Sequence, residues 1–417
     1  MNVSVVFALI AGIIIIGFAG EFFFKKTGIP IFIFLIFTGI VLGPILNFFP
    51  RESLIPELSI FAELTLFMVL FYGGLGLNFS SVVLNGGRAL VQTVIYVGIS
   101  IILIGLVGIF VLNWNLLSSF IFASIIGGET TAAVVVPLSK SMKLSEGTIT
   151  FLTLESAVNS IFSIVLFFAF VGIYTDGKAG WLSIVGGIGL QFSIGIALGA
   201  ILSLVWVFAL YRFQKQRFTY VLTVGFVLTT YSLSTVLGGN GTLAVLVFGI
   251  ILGNYHLLKR IFKGQTSMDP LLKQLEKFQG EISFFLESLF FVFLGLTFII
   301  NPSLIVSNLS IGILILSILL ATRFTAVRVS TFKSELNKER RQIMLMCAMG
   351  LTPATLSVLA VSLQLPLSDT FLNIVTYVII LTNVVTTVGS ILNKRKQTQE
   401  YKGIKQTENW IAPENHS

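Results

Sequence analysis

Three ionisable side chains lie deep inside the long apolar runs of this 417-residue chain, and they differ in sign: Glu129, Glu155 and Arg323. Glu129 falls near the middle of a run at about 115–138, Glu155 about two turns into the run at about 148–173, and Arg323 at the end of the run at about 304–323. A charge at bilayer depth costs ~2.5–3.5 kcal/mol on insertion scales, so such residues pair with one another or serve transport. One guanidinium neutralises one carboxylate. The second carboxyl group is then left to bind a proton or a cation. Neutral oxygens stand close by in sequence. Glu155 and Asn159 are four residues apart, with Ser156, Ser160 and Ser163 on the adjoining strip of the same helix, and a polar stripe in so apolar a helix reads as an ion site ahead of helix packing. Thr130 and Thr131 follow Glu129 directly. Thr352 belongs to a related segment: Gly350-Leu351-Thr352-Pro353-Ala354 repeats the Gly, Thr and Ala positions of Gly128-Glu129-Thr130-Thr131-Ala132.

The other acids are placed less suggestively. Asp176, Asp269 and Asp369 fall in predicted loops, Glu21 and Glu63 near helix ends, and Glu281 and Glu287 at the cytoplasmic start of a run at about 282–300, where they reach the interface and read as structural. The two histidines, His256 and His416, lie at an interface and in the tail, so no nucleophile–base pair or metal-ligand cluster forms and no enzyme activity, cofactor or resident metal is expected. The single cysteine, Cys347, can make no internal disulfide.

The elements that must position these groups are membrane spans. With 55% apolar residues, 11% charged and a mean hydropathy of +0.97, the chain is far from a soluble domain, which carries about a quarter charged residues. Soluble enzymes, nucleic-acid binders and disulfide scaffolds are excluded, and lipid is the surrounding solvent. Runs long enough to cross a bilayer occur at about 3–24, 28–48, 58–77, 89–112, 115–138, 148–173, 181–211, 218–237, 241–255, 282–300, 304–323, 341–363 and 370–392, which predicts an all-α integral membrane protein of about 13 transmembrane helices. The first run has no basic residue before it and Lys25-Lys26 after it, so it reads as a span and not as a cleaved leader. With the amino terminus outside, only Arg51 and Lys178 of the 26 basic residues fall in external loops, which places the carboxyl terminus in the cytoplasm of a multi-pass cell-membrane protein. Leu271, Leu272, Leu275 and Phe278 recur at helical spacing between about 259 and 281, as in an amphipathic helix on the cytoplasmic surface. Two glycine pairs, Gly39 with Gly43 and Gly195 with Gly199, suit close helix packing.

Paired Gly/Pro interruptions at matching places in two halves of a chain mark transporters built as inverted repeats, whose site lies where the helices break. Taking 181–211 as a linker helix leaves halves at about 3–173 and 218–392, and the two related segments then fall in the fifth span of each half. Together 1–392 make one transmembrane domain, and 393–417 form a short polar cytoplasmic tail.

At these residues the sequence resembles the monovalent cation:proton antiporter superfamily, the sodium/proton exchanger-like transporters. The likeness runs over nearly the whole chain, from Lys-Thr-Gly-Ile-Pro at 26–30 and Gly-Gly-Leu-Gly-Leu at 73–77 to Phe290-Phe291-Val292-Phe293-Leu294-Gly295-Leu296. Its most specific part is Glu155-Ser156-Ala157-Val158-Asn159, which looks like the family's Glu-Ser-x-x-Asn-Asp signature, with Arg323 where the family has an arginine paired to that glutamate. The departures are equally specific. Ser160 stands where the family has its ion-binding aspartate, and Thr131 where one branch has the aspartate of Thr-Asp-Pro. The other branch has Ser/Thr-Thr-Ala at that break, which fits Thr130-Thr131-Ala132, but it too keeps the later aspartate.

The resemblance implies the antiporter fold, with two crossed discontinuous helices in a core domain and a second domain of remaining spans making a homodimer contact. It also implies exchange of a monovalent cation, Na⁺ foremost, for H⁺ by alternating access. On that reading Glu129 is the exchanging carboxylate, Thr130, Thr131, Asn159, Ser160 and Thr352 give neutral oxygens to the cation, and Glu155 with Arg323 is a structural ion pair. Two rivals keep the fold: a transporter of an anion or organic solute at the half-helix amino termini, and a degenerate membrane sensor or partner subunit without transport.

Overall fold

A computed structural model of the chain describes residues 11–12, 14–20, 22, 29–48, 51–77, 79–176, 181–213, 218–258 and 269–411. Lys25-Lys26, Lys178, Lys263 and His416, which enter the reading of topology and chemistry, lie outside the described residues. Helices joined by turns and short extended stretches make up the described residues, which contain no strand. Span one is seen only as helical residues within 11–22. Span two is Ile31–Ile40 running into a wider π-turn at Val41–Ile45 around Pro44. Spans three and four are Arg51–Gly76 and Phe79–Phe110. Span five is two helices, Leu116–Ile126 and Ala132–Ser141. Spans six to nine are Glu146–Asp176, Trp181–Phe213, Thr219–Val236 and Gly241–Gly253. Spans ten and eleven are Asp269–Leu296 and Pro302–Ser330. Span twelve is again two helices, Arg340–Leu345 and Leu351–Ser362, and span thirteen lies in Ser368–Ile411.

Local chemistry sets several of these ends. The Asn115 carboxamide accepts the Ser118 N–H at 2.7 Å, Asn240 accepts that of Leu243 at 2.9 Å, and Asn301 accepts that of Ser303 at 3.1 Å, with Pro302 in the first turn. Each satisfies a donor that no intrahelical carbonyl reaches.

The start of span ten differs from expectation. The segment predicted as a separate surface helix is, from Asp269 on, the beginning of span ten, so that span starts well before its apolar run. Leu275 is buried on it, against span three and its neighbours.

The helices sort into two packed groups. Spans four, five, six, eleven, twelve and thirteen pack on one another, and spans two, three, seven, eight, nine and ten do the same. The groups meet chiefly where span three lies along Leu351–Ser362 of span twelve. Glycines allow the closest approaches inside the second group: a Cβ at Gly39 would run into the Val292 carbonyl, and one at Gly199 into that of Ala244. The partners of Gly39 with Gly43, and of Gly195 with Gly199, are therefore the backbones of spans ten and nine.

Candidate functional site

In lipid a helix can break only where other groups take over its backbone hydrogen bonds. Both breaks of the first helix group are satisfied in this way. In span five the backbone leaves the helix at Gly127, passes Gly128 at φ +76°, and re-enters at Ala132. Gly128 has no room for a side chain, since a Cβ would sit 2.7 Å from the Cα of Val97. Span six supplies the replacement bonds: Ser156 Oγ donates to the Thr130 carbonyl at 2.8 Å and accepts the Ala132 N–H at 2.7 Å, and Asn159 Nδ2 donates to the Gly128 carbonyl at 3.2 Å and to Thr130 Oγ1 at 2.8 Å. In span twelve the extended stretch from Met346 to Gly350 is held by span thirteen. Thr386 Oγ1 accepts the Cys347 N–H, Thr382 Oγ1 accepts the Met349 N–H, both at 3.2 Å, and Asn383 Nδ2 donates to the Met349 carbonyl at 2.7 Å.

The two breaks touch. The Thr131 N–H donates to the Ala348 carbonyl at 2.8 Å, and Gly350 lies so near Thr131 that a Cβ on it would be 2.7 Å from the threonine Cβ. Gly350→Val is accordingly expected to force the breaks apart and to reduce the yield of folded protein well below that of Leu351→Val, one residue on; equal yields of monodisperse protein in detergent would show that the contact is dispensable.

Glu129 sits at this crossing and is only 1% exposed. Its Oε1 accepts a long hydrogen bond of 3.5 Å from Ser160 Oγ, Ser160 in turn accepts from Thr352 Oγ1 at 3.1 Å, and the carboxyl group also faces the Gly350 N–H. Its Oε2 has no hydrogen-bond partner among the described residues. The carboxyl thus lies at the amino terminus of the half-helix Leu351–Ser362, where free N–H groups and the helix dipole favour negative charge. The place that the half-helix offers to an anion faces a carboxyl group of the chain itself.

Glu155 points the other way. Arg323 donates to it from both terminal nitrogens, at 2.6 and 3.2 Å, and both residues are fully buried. The rest of the guanidinium donates to the Ile343 carbonyl at 3.1 and 3.2 Å and stands 5.2 Å from the centre of the Tyr96 ring. Gln92 extends the network, donating to Glu155 at 3.4 Å and accepting from Ser330 Oγ at 2.8 Å.

A cavity of about 100 Å³ opens between the two helix groups. Glu129, Thr131, Ser160 and Thr352 line it on one side, with Leu66, Leu70 and Gly73 of span three on the other. The residues read from sequence as oxygen donors therefore divide. Thr131, Ser160 and Thr352 face the cavity with Glu129, whereas Thr130 and Asn159 bond to each other behind it and hold the break, leaving Asn159 Oδ1 buried without a partner. Sequence reasoning passed over the residues that hold the second break, Thr382, Asn383 and Thr386, although the match between the two break segments pointed to span thirteen as the counterpart of span six. It also placed Glu287 at the membrane interface; the structure puts it on the cavity wall. Among the described residues no cluster of His, Cys, Asp and Glu has the form of a metal site.

Comparison with known proteins gives a consistent picture. Residues 5–394 match the family described as sodium/hydrogen exchanger, transmembrane. The low-affinity Na⁺/H⁺ antiporter NhaS1 of a Synechocystis strain is 28% identical over 204 residues, 48% of this chain and 36% of that protein. The K⁺/H⁺ antiporter NhaP2 of Shewanella baltica is 25% identical over 372 residues, 85% of this chain and 60% of that one. The chain thus spans between about a third and three-fifths of the length of these relatives. Two solved structures of the sodium proton antiporter MjNhaP1 from Methanocaldococcus jannaschii share its fold. One, determined at pH 8, has a TM-score of 0.76 at 18% identity and covers 95% of this chain and 97% of its own; the other, an electron-microscopy structure, has 0.73 at 19%, with 95% and 96% covered.

Proposed function

The chain belongs to the sodium/hydrogen exchanger family, and from that premise we propose that it exchanges a monovalent cation, Na⁺ foremost, for H⁺ across the cell membrane by alternating access. The observation that carries the reading is the buried carboxyl group of Glu129, with one oxygen unpartnered, on the wall of a cavity between two helix groups. A carboxylate so enclosed, with no basic residue bonded to it among the described residues, is stable only when a proton or a cation neutralises it. The two therefore compete for one group, and competition couples their flows. The cation displaces the proton of Glu129 and takes oxygens from Thr131, Ser160 and Thr352. Thr130 and Asn159 keep the broken backbone in place, and the Glu155–Arg323 pair fixes span six against spans eleven and twelve. Movement of the first helix group past the second then opens the site to the other side, where the order reverses.

Inverted halves at about 3–173 and 218–392 give this movement its symmetry, a reading supported by the parallel support of the two breaks by spans six and thirteen. The split of basic residues supports an amino terminus outside and a carboxyl terminus in the cytoplasm. The second helix group is the natural contact between two copies in a homodimer, since it is the one that need not move.

The test is reconstitution into liposomes with an internal pH dye, followed by addition of Na⁺, K⁺ and Li⁺ in turn. Dye recovery with one or more of these cations is expected. No recovery with any of them overturns the proposal, in favour of a transporter of other solutes if a counterflow assay with anions or organic solutes responds, and of a sensor or partner subunit if it does not.

A further inference from the structure

Glu287 has no role in the exchange described above, yet its position is not that of a surface residue. It follows Phe284-Phe285-Leu286 in span ten, is half-buried, and lines the same cavity as Glu129. It comes from the second helix group, so the two carboxyl groups reach the cavity from walls that belong to different groups. It makes no hydrogen bond and no ion pair with any described residue, and none of the described residues lining the cavity is Lys, Arg or His. The remainder of the lining is apolar or hydroxylic, with Leu66, Leu70 and Leu246 beside Thr153 and Ser160. A carboxylate in such surroundings must be neutralised from solution. A volume of about 100 Å³ admits a small cation with a few waters, since one water needs only ~10–15 Å³ on the same measure.

We propose that Glu287 is a second cation-binding group of this protein, which holds a partly hydrated monovalent cation in the cavity opposite Glu129 before the ion displaces the proton there. The proposal rests on the exchange reading for the ion's onward path, but the binding itself does not depend on transport. Glu287 attracts the ion and does not carry it across: when the helix groups move past one another, Glu129 leaves with the first group and Glu287 stays with the second. Its effect therefore falls on apparent affinity at the side to which the cavity opens, and not on coupling.

The experiment compares wild type, Glu287→Gln and Glu287→Asp in two assays. In proteoliposomes, Glu287→Gln is expected to raise the half-saturating cation concentration on the order of tenfold, equivalent to ~1.4 kcal/mol, with the maximal rate retained. Glu287→Asp, which keeps the charge, is expected to recover most of that affinity. In detergent, the cation concentration needed to raise the unfolding temperature of the purified protein is expected to shift by the same factor in the Gln variant. An unchanged half-saturation and an unchanged stabilisation curve overturn the proposal. Failure of wild type to move protons with any cation would count against the exchange reading alone, because the detergent titration still reads binding at Glu287. If Glu287→Gln cannot be purified folded, Glu287→Asp decides: half-saturation within a factor of about two of wild type, as an intact charge requires, supports the proposal, and a loss as large as that expected for Gln overturns it.

Discussion

Glu129→Gln is expected to reduce cation-driven proton movement to the level of protein-free vesicles while leaving the protein folded. Both halves of that expectation follow from the geometry. The amide keeps the size of the carboxyl group and can still accept from Ser160 and face the Gly350 N–H, so the crossing of the two breaks retains its contacts. Among the described residues no arginine or lysine is bonded to Glu129, so neutralising it strands no opposite charge there. What disappears is the carboxyl group that the crossing of the broken helices encloses, facing Ser160 and the Gly350 N–H. A glutamine can neither release a proton nor neutralise a cation, and the remaining hydroxyls do not repay the dehydration of an ion without a carboxylate among them. The measurement is dye recovery in proteoliposomes, with the unfolding temperature in detergent as the check on folding. Undiminished exchange in the variant would move the proton-exchanging role to another acid and remove Glu129 from the mechanism.

The outline of the fold was legible because lipid imposes it. Each of the apolar runs read from sequence contains helix, and the two interruptions at Gly128 and Gly350 are real breaks that touch each other. The pairing of Glu155 with Arg323 was legible for a related reason: buried charges of opposite sign in an apolar medium have few alternatives. The cavity was not legible. Hydropathy locates a residue along the membrane normal and says nothing of which neighbour a helix face meets, so Glu287 near the start of an apolar run read as interfacial. In the structure the helix begins at Asp269, and Glu287 turns toward the gap between the two helix groups. Thr382, Asn383 and Thr386 were passed over because hydroxyls and amides are common in helix packing. Only the extended backbone at Met346–Gly350, more than thirty residues away in the chain, makes them necessary.

Removing either partner of the buried ion pair is expected to have the largest effect on stability. Among the described residues, Arg323→Met leaves the Glu155 carboxylate enclosed with Gln92 alone donating to it, and Glu155→Met leaves a guanidinium whose remaining acceptor is the Ile343 carbonyl. Stranding a buried charge in this way typically costs ~3–5 kcal/mol, which is a large share of the 5–15 kcal/mol by which ordinary domains are stable. Each single variant should therefore give a lower unfolding temperature and less folded protein in the membrane. The double variant should recover much of the loss, because two apolar side chains of similar length replace a pair whose attraction had to offset the desolvation of both ions. This pattern separates an ion pair from two independently useful residues, whose losses would add. Stability equal to wild type in either single variant would mean that the contact carries no energy. If the double variant folds as well as wild type yet exchanges slowly, the pair is needed for the alignment of span six with the break of span twelve, which Arg323 ties together through Glu155 and Ile343. The role of the pair would then be to keep Ser160 and Thr352 at the distance at which both serve Glu129.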